Sequence, residues 1–329
     1  MLSTINDLIY STDISQIKGQ EEGIIAEFEN LAEQAFADCD EQAMLEAHRV
    51  LYSIYMANLA VPWVKSPKNI NHPLISNIRF KLEEKWELCE IEKVENDLRD
   101  LPDVEEFSAW INNYVKEHEK NVIHPIFPYL RDEASYAQLK QFFLQETPLE
   151  MLFGDVVALM LPGVYGEIKS EITQNFWDEA GHAKEKQVHR YLRGQIMDYL
   201  DIPQNCYIDS PEIFVREELE LINTYLFAAL NRHKLGELIG ILLATELMIP
   251  NRFAYQIQGW NRVGVDNSKI QYLTDHISVD AKHAQDWLDL VVKPLLDKHP
   301  EMMSDIVVGC AKRLEKAHLV CEKLHAMVA

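Results

Sequence analysis

The chain has 329 residues, 47% of them apolar, so it is long enough to bury a substantial hydrophobic core. Its formal net charge of -22 at pH 7 would repel a nucleic-acid backbone or an anionic membrane surface. No segment reaches the ~20 apolar residues that span a bilayer, and the five cysteines lack CxxC spacing. We therefore expect a cytoplasmic protein that binds neither nucleic acid nor a membrane and has no disulfide framework or thiolate zinc site.

Apolar residues recur at intervals of three and four almost throughout the chain, which predicts helices. Alternating strand patterns bounded by Asn-Gly or Asp-Gly turns are absent from the sequence. Prolines at or near the proposed boundaries support the helix ends. The predicted helices span residues 21–36, 41–60, 75–98, 103–119, 134–146, 149–161, 165–200, 211–232, 235–248, 250–263, 268–297 with a break, and 300–327.

The segment after the second predicted helix contains Pro62, Pro67 and Pro73, which interrupt the helical pattern and mark a linker. We therefore predict an N-terminal helical extension at residues 1–70 and one multi-helix bundle domain at residues 71–329. The predicted fold class is all-α.

The stretch YLTDHISVDAKHAQDW, residues 272–287, carries three potential metal ligands. His276, Asp280 and His283 stand at positions i, i+4 and i+7, so a helix places them on one face. Histidine nitrogen with carboxylate oxygen suits iron, manganese or zinc. The alternative interpretation is a solvated polar face.

Glu246 is the only charged residue in the apolar run of residues 238–250. An ionised carboxylate in such surroundings costs several kcal/mol unless a cation compensates it. A metal ion would do so, and the alternative is an ion pair with Arg232, Arg252 or Arg262.

The stretch FWDEAGHAKEKQVHRYL, residues 176–192, offers Glu179 with either His182 or His189. On a regular helix His182 lies about 60° from Glu179 and His189 about 80° from it. A distortion around Gly181 could bring Glu179 and His189 together, since glycine weakens a helix.

These pieces first suggest a ferritin-like arrangement, in which two helices each give a Glu and two more each give Glu-x-x-His. Glu146, which follows an apolar run and precedes Pro148, would begin that series. Glu179 with His182, Glu246, and Asp280 with His283 would complete it. This arrangement leaves His189 and His276 unused.

From about residue 74 to the C-terminus, the chain also resembles the haem-oxygenase-like di-iron oxidases, often called iron-containing redox enzymes. The resemblance is carried by the stretches HPLISNIRFKLEEKW, FLQETPLEMLFGDVVALMLPGVYGEIKSEITQNFWDEAGHAKEKQVHRYL, ALNRHKLGELIGILLATELMIPNRFAYQIQGWNRVG and HISVDAKHAQDW. It implies a haem-oxygenase-like multi-helix bundle.

In that family a Glu and a His ten residues later are followed by a lone Glu and by His-x3-Asp-x2-His. The resemblance selects His189 over His182 and gives His276 a role. Glu150, Glu167 or Glu171 could replace Glu146 as the further glutamate. The implied metal ligands are Glu146, Glu179, His189, Glu246, His276, Asp280 and His283.

Four carboxylates and three neutral imidazoles would neutralise two Fe(II) ions, which favours a dinuclear site. Iron(II) with open coordination positions is suited to binding O2. We expect an oxidase or oxygenase that uses two Fe(II) and O2 through a peroxo-di-iron intermediate on a small organic substrate. The resemblance implies N-oxygenation, desaturation or oxidative carbon-carbon cleavage.

Other functions stay open on the sequence alone. They are a ferritin-like di-iron carboxylate protein, a non-catalytic helical binding protein, and a protein that binds haem or a small aromatic ligand. Manganese in place of iron stays open as well. A small-molecule substrate is the expected partner, together with a homodimer formed through the N-terminal helices.

Overall fold

The computed structural model describes residues 1–10, 13–61 and 63–329, except the side chains of Gln16 and residues 277–282. These residues form helices and contain no β-strand, which confirms the predicted all-α bundle. None of the described helices is long and apolar enough to cross a membrane. The α-helices are α1 (Leu2–Tyr10), α2 (Glu21–Phe36), α3 (Glu41–Asn58), α4 (Pro73–Val94), α5 (Val104–Glu117), α6 (Ile126–Asp132), α7 (Tyr136–Gln145), α8 (Thr147–Met160), α9 (Gly166–Glu179), α10 (His189–Tyr199), α11 (Cys206–Asp209), α12 (Arg216–Leu230), α13 (Leu235–Arg262), α14 (Gln271–Asp286), α15 (Lys293–Leu296) and α16 (Met303–Val328).

The N-terminal helices pack on the rest of the bundle. Helix α2 lies against α3 and α4, and α3 lies against α12. Phe28 and Tyr52 from these helices belong to the same hydrophobic cluster as Leu243 and Leu314. The division at residue 70 into an extension and a bundle domain stays a prediction.

Helices α13 and α16 cross in direct backbone contact. A Cβ atom on Gly240 would lie 2.0 Å from the carbonyl oxygen of Ile306, and one on Gly309 would lie 2.0 Å from that of Glu237. Only glycine permits so close an approach at both positions. The crossing fixes the position of α13, the helix that carries Glu246.

The prediction of separate helices at residues 235–248 and 250–263 is wrong, because α13 continues through Pro250. Both halves bury large apolar side chains, including Leu243 and Phe253. Their burial outweighs the backbone hydrogen bond that proline removes. Helix α12 also begins later than predicted, at Arg216, because Pro211–Ile213 form a 3₁₀ turn.

The prediction of one helix over residues 165–200 is wrong as well. Helix α9 ends at Glu179, the 3₁₀ turns Gly181–Ala183 and Glu185–Gln187 follow, and α10 begins at His189. Gly181 has a φ of +60°, and a Cβ atom there would lie 2.3 Å from the carbonyl carbon of Gln187. Glycine therefore lets the chain fold back on itself at this point.

The structure also contains short helices that were not predicted and an irregular segment within the predicted helix at residues 268–297. The sequence pattern gave no prediction for the short helices α1, α6 and α11. The break predicted within residues 268–297 is present as the π-helical segment Trp287–Val292, which follows α14.

Candidate metal centre

Three side chains from three helices converge at one point. Glu179 is the last residue of α9, His189 the first of α10, and His276 lies in α14. One ligand atom from each lies within 4.8 Å of the other two. Glu179 Oε1 is 3.0 Å from His189 Nδ1, and the ring centroids of His189 and His276 are 4.4 Å apart. The two turns after Gly181 thus bring together residues that a regular helix would hold apart.

Burial and charge interactions shift the pKa of each residue in this cluster. Burial raises the pKa of Glu179, but the neighbouring His189 outweighs it and brings that pKa below its usual value. Burial lowers the pKa of His189, and the carboxylate of Glu179 more than reverses the shift. Burial, followed by repulsion from His189, lowers the pKa of His276 to about 4. His276 is therefore neutral at pH 7 and has a lone pair to offer.

The backbone determines which nitrogen of His276 faces the cluster. His276 Nδ1 lies 2.7 Å from the carbonyl oxygen of Tyr272. A carbonyl only accepts hydrogen bonds, so Nδ1 donates and Nε2 remains as the ligand atom. Metal-binding histidines are commonly held in this way.

A second pair of donors is formed by His283 of α14 and Glu246 of α13. His283 Nδ1 lies 3.7 Å from Glu246 Oε2 and 3.3 Å from Asn175 Nδ2. His283 Nε2 lies 3.0 Å from Asp178 Oδ2. Since a carboxylate accepts, Nε2 donates to Asp178, while Nδ1 accepts from the side-chain amide of Asn175 and also lies near Glu246.

His182 lies away from the cluster. It has a φ of +53°, its side chain is 50% exposed, and Nε2 is 2.6 Å from Asp178 Oδ1. The structure therefore brings Glu179 together with His189, and connects His182 to Asp178. Sequence reasoning missed this role of Asp178; the only local signal was its i, i+4 spacing to His182.

Glu150 and Glu146, two of the glutamates proposed to complete the site, line two neighbouring cavities. Glu150 lines the same cavity as Glu179, Glu246 and His276, and it accepts a hydrogen bond from Tyr272 Oη. Glu146 lines a neighbouring cavity, and its Oε1 accepts a hydrogen bond from Gln256 Nε2 at 3.0 Å. The further glutamate nearest the cluster is thus Glu150, one of the named substitutes for Glu146.

The other two substitutes lie on α9, closer to its start. Glu167 is exposed and 3.5 Å from Lys298, while Glu171 is buried two turns before Glu179. Asp280 lies among the residues whose side chains are outside the described part of the structure, so its role as a ligand stays a prediction.

The three arginines proposed as partners of Glu246 contact other groups. Arg232 donates to the carbonyl oxygens of Leu159 and Pro162. Arg262 donates to backbone carbonyls within residues 130–134, and Arg252 lies beside Cys321. Among the described contacts, the ion pair of Glu246 is with His283. The described contacts therefore contradict the arginine alternative and place the buried carboxylate of Glu246 beside the imidazole of His283.

A donor set of carboxylates and imidazoles suits iron, manganese or zinc. Residues 140–318 match the family described as iron-containing redox enzyme. The matched region spans more than half of the chain and includes the whole candidate centre. The chain belongs to the iron-containing redox enzyme family. Membership confirms the resemblance noted from the sequence and makes this protein an iron redox enzyme, while the number of metal ions stays a prediction.

One solved structure similar to this iron-containing redox enzyme comes from Shewanella denitrificans and is described as a domain of unknown function with a heme oxygenase-like fold. It is 15% identical, with a TM-score of 0.47, over 70% of this chain and 94% of that chain. No curated protein sequence matches the chain.

Proposed function

We propose that this protein is a non-haem di-iron oxidase or oxygenase that uses O2 to oxidise a small organic substrate. The observation that supports the proposal best is the convergence of Glu179, His189 and His276 within 4.8 Å. The adjacent pair of Glu246 and His283 supplies donors for a second ion.

Seven residues would hold iron. They are Glu150, Glu179, His189, Glu246, His276, Asp280 and His283. Their four carboxylates and three imidazoles balance the charge of two divalent ions. Iron(II), when bound by such a set, supplies the electrons and the open positions that O2 activation needs. Asp280 is included in this ligand set only because of its position in the sequence motif.

Tyr272 orients two of these residues at once. Its carbonyl oxygen accepts a hydrogen bond from His276 Nδ1, and its hydroxyl donates to Glu150. Burial raises the pKa of the Tyr272 phenol well above its usual value, so the hydroxyl keeps its proton and remains a donor. Such supporting hydrogen bonds hold ligands in the geometry that a metal requires.

The cavity beside the cluster has apolar side chains in its wall as well as the candidate ligands. Leu149, Phe153, Ile249 and Phe253 line it together with the acids and His276. Apolar walls limit the access of water and strengthen electrostatic interactions inside the site. This environment protects an oxidising reaction from side reactions with solvent.

Anaerobic loading with Fe(II), followed by rapid mixing with O2, tests the proposal. We expect about two irons per chain, as in two-metal sites, and a transient visible absorption band after mixing. A protein that retains no iron, or whose iron does not react with O2, would overturn it.

Two histidine variants sharpen this experiment. His189→Ala should lose one metal position, because it removes a ligand atom from the cluster. His182→Ala should retain both positions, since its exposed ring contacts only Asp178 among the candidate residues. The reverse result would support the ferritin-like arrangement instead.

A further inference from the structure

Helix α4 has an exposed face that carries large apolar side chains. Phe80 is 57% exposed, Leu88 59% and Ile91 41%. No other described α-helix exposes more than one large hydrophobic side chain. At 100° per residue the three side chains fall within about 80° of one another around the helix, with the exposed Glu84 between them. Single apolar residues are ordinary on a protein surface, whereas a row of them on one helix face indicates a contact with another protein.

The charge of the chain changes sign within this helix. Residues 47–82 contain five Lys or Arg and no Asp or Glu, whereas residues 83–106 contain eleven Asp or Glu and three Lys or Arg. Helix α4 spans Pro73–Val94, so the change falls near its middle. The region where the helix begins is therefore basic, and the region where it ends is acidic.

Several of the exposed charges near the two ends have no partner within the chain. Lys65 and Lys68 lie in the loop before α4, while Glu92 and Glu95 lie at its end. Among the described contacts, none of these four residues forms an ion pair. A partner that covers the exposed face should therefore offer acids at the start of α4 and bases at its end.

A second copy of the same chain meets this requirement. Two copies that each carry a net charge of -22 repel one another overall, so a contact between them needs a surface on which opposite charges meet. When two α4 helices pack antiparallel, the basic end of each lies beside the acidic end of the other. A parallel pair would place like charges together.

We propose that α4 forms the interface of a homodimer, in which two copies pack antiparallel about a two-fold axis at Glu84. Phe80 and Leu88 each lie four residues from Glu84, so the axis places Phe80 of each copy against Leu88 of the other. Ile91 and Asn77 each lie seven residues from Glu84 and meet in the same way. Both copies thus use the same surface, as in most dimers. The homodimer expected from the sequence then uses α4 in place of the N-terminal helices.

Glu84 opposes this contact, because its carboxylate faces that of the second copy. Lys81 and Lys85 lie close to it on α4, and both interact electrostatically with Glu84. These lysines offset the repulsion between the two carboxylates at the axis. The helix has 22 residues and is about 33 Å long, so the interface is small and the dimer is weak, with a Kd in the micromolar range.

Sedimentation equilibrium of the full-length metal-free protein tests the proposal, at concentrations from about 1 to 200 µM, which cover the affinity of a small interface. Phe80→Ser and Leu88→Ser should each weaken the dimer by at least about 10-fold, because each removes an apolar contact at the centre of the interface. Val122→Ser is the matched control, because Val122 is also exposed but lies outside α4. A protein that stays monomeric, or a dimer that both α4 variants leave unchanged, would overturn the proposal.

A charge exchange tests the antiparallel direction. The double variants Lys65→Glu/Lys68→Glu and Glu92→Lys/Glu95→Lys should each weaken the dimer by about 10-fold, because each places like charges together. All four substitutions combined restore opposite charges at both ends, so the combined variant should dimerise nearly as the wild type does. A combined variant that dimerises no better than either double variant would contradict the antiparallel arrangement.

A disulfide tests the position of the axis. Two packed helices bring facing Cα atoms within the reach of a disulfide only where the helices are closest, which here is at residue 84. In a background that lacks the accessible thiols, Cys39→Ser/Cys89→Ser, mild oxidation of Glu84→Cys should give a covalent dimer on a non-reducing gel. Glu133→Cys is the control, because Glu133 is exposed but follows α6, and it should remain monomeric on the gel. A protein that sediments as a dimer but gives no covalent dimer with Glu84→Cys would overturn the proposed axis.

Discussion

Two groups of buried charges in this bundle are stabilised in different ways. In the first, called here the paired network, Lys316 Nζ lies 2.6 Å from Glu220 Oε1 and also contacts Glu90. Lys312 Nζ lies 2.7 Å from Glu237 Oε2. In the second, the candidate metal centre, the described ion pairs of Glu179 and Glu246 are with histidines alone.

The difference indicates a structural role for the paired network and is consistent with the binding role proposed for the candidate metal centre. Lys316 lies between Glu90 and Glu220, and Lys93 and Arg216 each pair with one of these carboxylates, so the paired network is complete as it stands. The metal centre instead gathers carboxylates and imidazoles, which are all groups that donate electron pairs to a cation. Burial of ionisable groups therefore does not by itself indicate a metal site; the type of partner does.

Removal of Lys316 should have the largest effect on stability. Lys316→Met would remove the buried cation that Glu90 and Glu220 share and leave each with one other partner, Lys93 or Arg216. We therefore expect the free energy of unfolding to fall by about 3 kcal/mol, the lower end of the cost of breaking a buried pair. Urea unfolding followed by circular dichroism measures this change. The double variant Lys316→Met/Glu220→Gln should recover part of the loss. A decrease below about 1 kcal/mol would show that the network is not important for stability.

Acid should weaken the paired network through His48, which lies 4.0 Å from Glu220 Oε2. Burial lowers the pKa of His48 to about 4. The unfolded chain binds this proton near pH 6.5, so between these values the unfolded state holds more protons and stability falls as the pH decreases. We expect a loss of up to about 3 kcal/mol from this residue between pH 6.5 and 4.

The variant His48→Gln isolates that contribution, because other groups also titrate in this range. Urea unfolding of wild type and variant at pH 7, 5.5 and 4.5 should give a shallower pH dependence for the variant. Equal slopes would contradict the assignment to His48.

Glu246→Gln removes one buried charge from the candidate metal centre, as Lys316→Met removes one from the paired network. No lysine or arginine pair is broken, so the stability of the metal-free protein should change by no more than about 1 kcal/mol. Iron affinity, measured by competition with a chelator, should fall at least about 10-fold, the lower end of what loss of a supporting group costs a metal site. Destabilisation as large as that of Lys316→Met would mark Glu246 as a structural residue instead.

The helical period was sufficient to predict most of the fold, because each long helix buries one apolar face. The helical period gave wrong helix boundaries at Pro250 and Gly181, because tertiary packing determines whether the helix continues at these two residues. Glycine occurs both in the middle of a helix, at Gly240, and at a break, at Gly181, so local sequence does not distinguish the two.

The candidate ligands could be picked out from the sequence where they share one helix or stand alone in an apolar run. His276 and Glu246 were identified in this way. The contact between Asp178 and His283 joins residues 105 positions apart, and no local pattern indicates it. Glu146 and Glu150 are one helical turn apart, and only the packing of α8 shows which of them faces the cluster.

The smallest expected effects concern Asp178 and His182, which support the centre from its edge. Burial raises the pKa of Asp178, but hydrogen bonds with His182 and His283 outweigh it, so the pKa is lower than usual and the residue is a carboxylate. It accepts a hydrogen bond from His283 Nε2 and so keeps Nδ1 on the side of Glu246. Asp178→Asn retains the shape and removes the charge, and we expect iron affinity to fall about 10-fold.

His182→Ala is the matched control for Asp178→Asn. It removes only the exposed partner of Asp178 and leaves the contact with His283 in place, so iron affinity should change by less than about 2-fold, as expected for an exposed pair. Chelator competition on both variants gives the comparison. A larger loss for His182→Ala than for Asp178→Asn would mean that His182 itself binds the metal. Because His182 lies outside the cluster of Glu179, His189 and His276, that result would require the loop after Gly181 to rearrange when iron binds.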